Sequence, residues 1–234
     1  MLALQTTRKS PNDIVQQNSA YKHFNLGLHV GDCVNKVDKN RKKLQSLFPS
    51  NTRVQWLEQV HGNSVVEILQ VTQSTITADA MITREKRTAL AIMTADCLPI
   101  LLASKQGDEI AAIHGGWRPL STNIIANTVN KMQTAPSEII AWLGPCISKE
   151  AFEVGSEVKR AFVEQGGAFT QAFCKQANGK YLANLHEIAR LQLTALGIRK
   201  ISSLSECTYS QPEKYYSYRK NAITGRMASV ITLL

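Results

Sequence analysis

Apolar residues run almost unbroken through three stretches in the middle of the chain: TALAIMTAD (88–96), LPILLAS (98–104) and EIAAIHGG (109–116). Runs of this length predict strands covered on both faces, although periodicity alone does not separate them from a buried helix. The turn KQGD (105–108) joins the last two as a hairpin. RVQWLEQVHG (53–62) and SVVEIL (64–69) read as another hairpin, turning near Gly62-Asn63. EIIAWLG (138–144) and RMASVITLL (226–234) read as further buried strands. Three segments carry helical spacing instead. KVDKNRKK (36–43) is the wet face of a helix whose stripe is Val37, Leu44, Leu47 and Phe48, stopped by Pro49. STNIIANTVNKM (121–132) puts Ile124, Ile125, Val129 and Met132 on one side, with Ser121 or Thr122 as cap. NLHEIARLQLTALG (184–197) has Asn184 as cap, Glu187 three residues on and Gly197 to close it. Strands interleaved with helices predict an α/β or α+β sandwich, formed as one domain over residues 1–234.

Composition narrows the class. A hydrophobic fraction of 44% over 234 residues fills a real core. No run approaches 18 apolar residues, and the opening MLALQTTRKSPND turns polar too soon for a secretory segment, so a soluble, cytoplasmic protein without a membrane partner is expected. The five cysteines (33, 97, 146, 174, 207) include no CxxC, which predicts reduced thiols, with Cys33, Cys174 and Cys207 as buried structural ones. Basic residues exceed acidic ones by 27 − 18 = 9, which suits an anionic partner such as phosphate or a nucleotide. The excess is scattered and no aromatic-and-basic recognition motif accompanies it, so no nucleic-acid partner is expected.

The candidate chemistry lies at strand ends. His61, Cys97 and His114 each sit beside small or turn-forming residues, and two imidazoles with one thiolate suit tetrahedral zinc with a fourth position left open. Their separations of 36 and 17 residues match no local zinc pattern, and each taken singly is more simply a satisfied core side chain. Ile110, Ala112 and His114 share a strand face, and the following glycines leave room for a ligand. Asp96 points away from Cys97 in a regular strand and would then support the site from behind, unless an irregularity near Pro99 turns it. Arg118 is read either as an anion-binding fork or as half of a surface ion pair. Tyr218, Arg219 and Arg226 in YYSYRKNAITGR (215–226) form a second polar cluster. Cys146 lacks the paired motifs of the nucleobase deaminases, and His23, His29 and His186 count as background.

In chain order, EQVHG, TADCLPILL, AAIHGGWRPL, LGPCIS with FEVGSEV, and CTY with YYSYRKNAITGRMASVI resemble the YfiH family, long labelled multicopper polyphenol oxidase or laccase-like. NLGLHVGDCVNKVDKNRKKL extends the likeness toward the start, so it covers nearly the whole chain. The resemblance implies an α+β fold, a four-layer α/β/β/α sandwich with mixed sheets similar to a toxin cysteine deamidase. It also implies a Zn²⁺ ion on His61, Cys97 and His114. The activity implied is that of a purine nucleoside phosphorylase acting on adenosine, inosine, guanosine and methylthioadenosine, with adenosine deaminase activity, so that a purine nucleoside and phosphate are the partners. On that reading the catalytic residues are Cys97, His114, Asp96 as proton carrier and Arg118 as phosphate holder. Two departures stand out: Gly115 and Pro119 replace the family's Ala and Gly around Trp117-Arg118, and Asn184 stands where Asp is common. Three other readings use the same residues. Cys97 could be a nucleophile with His114 or His61 as base, giving a hydrolase or deamidase. Copper could serve a polyphenol oxidase, although five histidines with no H-x-H are few for a multicopper site. A non-enzymatic module would hold its metal structurally.

Overall fold

A computed structural model describes residues 1–9, 20–21 and 23–234. Its elements in chain order are β1 (Leu2–Gln5), α1 (Val34–Gln45), β2 (Arg53–Gln55), β3 (Val65–Glu67), β4 (Ala80–Thr83), β5 (Thr88–Thr94), β6 (Leu98–Ser104) and β7 (Ile110–Gly115). There follow α2 (Trp117–Ser121), α3 (Ile124–Lys131), β8 (Ile139–Leu143), β9 (Glu153–Val154), α4 (Ser156–Val163), β10 (Phe173–Lys175), β11 (Tyr181–Ala183), α5 (Leu185–Ala195), β12 (Lys200–Ser203) and β13 (Met227–Thr232). A four-stranded sheet has the order β1-β13-β5-β2, a six-stranded sheet β12-β8-β6-β7-β4-β3, and β10-β11-β9 form a small third sheet. Both large sheets are mixed, because β2 joins β5, β3 joins β4 and β12 joins β8 in parallel while the other pairs are antiparallel.

Side-chain alternation along the central strands builds the layers. In β5, Ala89 and Ala91 face Phe24, Leu26, Leu44 and Phe48, so α1 covers that side. Leu90 and Ile92 face the opposite way, onto Met81, Leu101, Ala103, Ile110 and Ala112 of the other sheet. The far side of that second sheet, through Ala80, Ile82, Ile100, Leu102, Ala111 and Ile113, packs on Ile124, Ile125 and Val129 of α3 and on Leu185, Ile188 and Leu193 of α5. Three cores stacked in this way make four layers, helix on sheet on sheet on helix. Every residue of β5, β6 and β7 is buried, as their unbroken apolar runs predict. Each fully buried Leu or Ile contributes roughly 2 kcal/mol.

The structure corrects several readings. The 53–69 segment is not a hairpin: β2 stops at Gln55, and β2 and β3 belong to different sheets, each paired in parallel with a strand that comes later in the chain. The 121–132 helix is two helices. Ser121 and Thr122 donate their hydroxyls back to the Arg118 carbonyl, so they close α2, and Asn123, in the left-handed region at φ 67°, precedes α3. Leu47 is 47% exposed instead of joining the stripe of α1. Cys33 and Cys174 are exposed, whereas Cys207 is buried. Asn184 does cap α5, accepting from the Glu187 N–H at 3.2 Å, so replacing the family's Asp there keeps the function. Pro119 lies in the first turn of α2, where a backbone N–H has no helical partner, and its missing donor costs nothing. Among the described residues no helix is long and apolar enough to cross a membrane.

Glu109, 2% exposed, ties the start of β7 to the turn after α3. Its carboxylate accepts from the N–H groups of Gln133 (3.0 Å) and Thr134 (2.8 Å) and from the Thr134 hydroxyl (2.6 Å), and it pairs with Arg84. Burial pushes its pKa up, but these donors outweigh burial and hold it below the ordinary value of 4.5. A carboxyl with a depressed folded pKa stabilises fully above its unfolded value, and that stability is lost as pH falls through the folded one. Glu109→Gln is therefore expected to cost about 1–3 kcal/mol at pH 7 and to flatten the loss of stability below pH 4.5, as read from urea unfolding at a series of pH values.

Candidate metal centre

Two of the three candidate residues lie where the chain passes from one sheet to the other. His61 is on the connection from β2 to β3, and Cys97 is between β5 and β6. His114 is the next-to-last residue of β7, on the inter-sheet face with Ile110 and Ala112. Their ligating atoms all lie within 4.8 Å of one another, with Cys97 Sγ 3.9 Å from His61 Nε2. The two imidazoles meet edge to face, 4.6 Å between centroids. Burial is graded across the trio: His61 is exposed, Cys97 half-buried and His114 3% exposed. One side of the trio therefore faces solvent.

Asp79, fully buried just before β4, builds this arrangement. Its Oδ1 accepts from His114 Nδ1 at 2.8 Å and from the His61 N–H at 3.0 Å; its Oδ2 accepts from the N–H groups of Gly62 (2.6 Å) and Val60 (3.2 Å). One carboxylate thus turns His114 Nε2 toward the trio and holds His61 in the left-handed region, φ 61°, a conformation that costs a non-glycine residue about 1–2 kcal/mol. Gln59 fixes the same connection from the other sheet, exchanging two 2.8 Å hydrogen bonds with the backbone of Met93. Burial raises the pKa of Asp79, but the bond and charge of His114 and the N–H groups of Gly62 and His61 outweigh it, so the carboxyl is held below its ordinary value.

The trio is electrostatically coupled. Burial pushes the Cys97 thiol up, but the opposed charge and N–H of His114, helped by His61, bring it down to about 6. Burial likewise lowers His114, and the Cys97 thiolate and Asp79 more than reverse this, lifting it to about 9. The donor set fits a metal ion: two nitrogens and a sulfur at these separations suit an ion bonded at about 2.0–2.3 Å. Gly116 leaves the space such an ion needs, because a Cβ there would stand 3.1 Å from Cys97 Sγ and 3.3 Å from His61 Cδ2. At Gly115 a Cβ would lie 2.6 Å from the Leu98 carbonyl, so the alanine found there in the family would require β6 and β7 to shift beside the trio.

A cavity of about 500 Å³ opens over these side chains, within the range of small-molecule sites. Arg118, Arg219, Arg226, Tyr218 and Asp96 line it too, so the structure brings the two separate sequence clusters together. Arg118 is exposed, lies over the Trp117 ring at 4.5 Å and has no carboxylate partner among the described residues, which removes the ion-pair reading. Asp96 has the irregular backbone the sequence left open, φ 94°, but its carboxylate is engaged. It accepts from the Thr208 hydroxyl (2.6 Å), the Ser217 hydroxyl (3.1 Å) and the Arg219 N–H (2.6 Å), and so fixes the 207–219 loop on the cavity rim.

Sequence reasoning missed several contributors, Gln59 and Phe152 among them. Asp79 is the most telling, and its one sequence signal is a lone acid between Ala78 and Ala80 at the entry to a buried strand. Thr94 is 2% exposed, its Oγ1 has no partner among the described residues, and it lines the cavity. Met93 and His29, the latter set aside as background, line it as well. Cys146 stays outside, 1% exposed, with its sulfur 3.9 Å from His186 Nδ1.

Fold and site together define a sheet-on-sheet α+β protein with a solvent-facing His-Cys-His trio able to hold one metal ion. The family model described as multi-copper polyphenol oxidoreductase laccase matches residues 3–234, and the chain belongs to this family, also known by its member YfiH. Purine nucleoside phosphorylase YfiH of Escherichia coli (strain K12) is 41% identical over 214 residues, 92% of this chain and 88% of that protein. A purine nucleoside phosphorylase of Haemophilus influenzae is 42% identical over 213 residues, 90% of this chain and 87% of that one. Among solved structures, a Neisseria meningitidis protein superposes with a TM-score of 0.93 at 39% identity, covering 99% of this chain and 93% of its own. YlmD from Geobacillus stearothermophilus does so at 0.89 and 28% identity, over 99% and 91%.

Proposed function

We propose that this chain is a purine nucleoside phosphorylase that uses a zinc ion held by His61, Cys97 and His114, and that it also deaminates adenosine. The observation that carries the reading is the meeting, in one cavity, of a metal-ligand trio with three arginines and, among the described residues, no carboxylate left unengaged; the names of the curated relatives support it. When bound, zinc supplies a Lewis acid that draws electron density from a substrate oxygen or nitrogen. The five unpaired thiols support a reducing, cytoplasmic setting.

The chain's own groups do the rest. In phosphorolysis a phosphate oxygen bonds to the ribose C1′ as the C1′–N9 bond breaks, and the electron pair leaves with the purine, which takes up a proton. Arg118, free at the cavity mouth, meets the phosphate, and the rings of Phe152 and Tyr218, which carry Arg219 and Arg226 over them at 5.4 and 5.9 Å, line the wall beside the base. The Thr94 hydroxyl, buried without a partner among the described residues, is available to orient a substrate polar atom. Asp96 serves as a positioning residue, because both of its oxygens already accept from the loop. In deamination, water oxygen replaces the 6-amino group and ammonia leaves.

Zinc-loaded protein incubated with phosphate and, in turn, adenosine, inosine, guanosine and methylthioadenosine is expected to release the free base and the sugar 1-phosphate, and to form inosine from adenosine. A chelator should abolish both. Failure to release base from any of the four overturns the phosphorylase reading. Activity that survives chelation moves the site to thiol chemistry on Cys97, and copper at full occupancy with phenol turnover moves it to oxidation.

A further inference from the structure

The three cavity arginines are built in differently. Arg118 is exposed and stacked on Trp117. Arg219 uses Nη1 on the carbonyls of Ala151 (3.3 Å) and Glu153 (3.2 Å), bracing the cavity wall. Arg226 is half-buried and seated through its backbone: its N–H donates to Asn25 Oδ1 at 2.9 Å, and its carbonyl accepts from the Leu26 N–H at 3.1 Å. Gly27 lies so close to the Arg226 stem that a Cβ there would stand 2.9 Å from its Cγ and 3.3 Å from its Cβ. Arg226 Nη1 donates to the carbonyls of Thr224 (3.1 Å) and Gly225 (3.0 Å) in its own loop. Its Nε and Nη2 have no protein acceptor among the described residues, and no carboxylate pairs with it.

Removing a cation from water without pairing it is costly, and an arriving anion relieves that cost. Burial lowers the guanidinium below its ordinary pKa, and the groups that counter this are first Cys97 and Asp96, both on the cavity wall, and then Tyr218 and Tyr21, although arginine stays charged throughout the physiological range. His29, also on the cavity wall, has its pKa lowered, first by burial and then by the charges of Arg226 and Arg41. The free edge, Nε with Nη2, is the two-pronged arrangement that matches two oxygens of a tetrahedral oxyanion.

We infer that Arg226 is the phosphate-binding residue of the cavity, seated by Asn25 and by the bare Cα of Gly27, with Arg118 at the mouth acting on entry more than on retention. The inference rests on the phosphorylase reading for the identity of the anion, and the two are separable by experiment. Inorganic phosphate is titrated calorimetrically into the zinc-loaded protein without nucleoside, and KM is measured separately for phosphate and inosine. Arg226→Met is expected to weaken phosphate binding about tenfold or more while the inosine KM moves by less than about twofold, Arg226→Lys to restore part of the loss, and Arg118→Met to cost about threefold. Gly27→Ala tests the seat without touching a charge: the glycine has φ −89°, which alanine adopts freely, so the added Cβ acts only by displacing the arginine stem. It is expected to reproduce the phosphate defect with zinc content and melting temperature unchanged. Phosphate affinity that is unaltered in Arg226→Met, or that falls further in Arg118→Met, overturns the inference even if phosphorolysis is observed. Phosphate binding that depends on Arg226 in a protein that cleaves no nucleoside keeps the anion site and removes the phosphorylase reading.

Discussion

Cys97→Ser is expected to yield a folded protein that no longer binds zinc tightly and whose phosphorolysis rate falls by about a thousandfold. Serine keeps the size of the side chain, but its hydroxyl holds its proton near neutral pH and is a poor zinc ligand. Cys97 is half-buried at a sheet crossover and fills no core position, so apo stability should fall only by the lost attraction between the thiolate and His114. The check is a pair of melting curves with and without zinc, alongside zinc content by mass spectrometry. Zinc at a hundred times its dissociation constant stabilises a specific site by about 2.7 kcal/mol, and that gain should appear in the wild type and vanish in the variant. A serine variant that retains one full equivalent of zinc and its activity would remove the trio from the proposal.

The second large effect falls on Asp79→Ala. Four donors lose their acceptor at once: the N–H groups of Val60, His61 and Gly62 and His114 Nδ1. Deleting a buried carboxylate engaged with an imidazole costs about 3–5 kcal/mol, and loosening the support behind a metal ligand weakens affinity by about 10–100-fold. Asp79→Asn keeps the shape and one acceptor oxygen, so it should recover part of the stability and less of the metal affinity. Urea unfolding of the apo proteins reads the first quantity and competition with a zinc chromophore the second. Equal zinc affinity in all three proteins would reduce Asp79 to a structural residue.

The three central strands were legible because every residue in them is buried, so their apolar letters run unbroken; their strand pairing then decides against a buried helix. His114 was placed on its face by simple alternation with Ile110 and Ala112. His61 was singled out for its residue type, but its setting was misread. Apolar letters continue past Gln55, while the chain there leaves the sheet to cross to the other one, and both β2 and β3 pair in parallel with strands met only later. No local pattern encodes such a pairing. Asp79 shows the same limit in sharper form, since its key partner is 35 residues away and nothing near it hints at an imidazole. The cap at Asn123 was missed because Ser121 and Thr122 are the better capping residues by type, yet a preceding short helix had already claimed their hydroxyls. Arg226 was singled out in the sequence only as one of a polar cluster; its seat against a bare glycine and its lack of a counter-charge among the described residues set it apart from Arg219.

Of the four connections that carry the chain between the two large sheets, β2 to β3 contributes His61 and β5 to β6 contributes Cys97 to the same trio. Alignment of the two β layers and assembly of the reactive centre are consequently a single event. A slip of one residue between β6 and β7 would reverse every facing side chain and scatter the ligands in the same movement. A chain mispaired in this way would lose the donor set, so that, on the proposed zinc reading, metal uptake would report on correct folding.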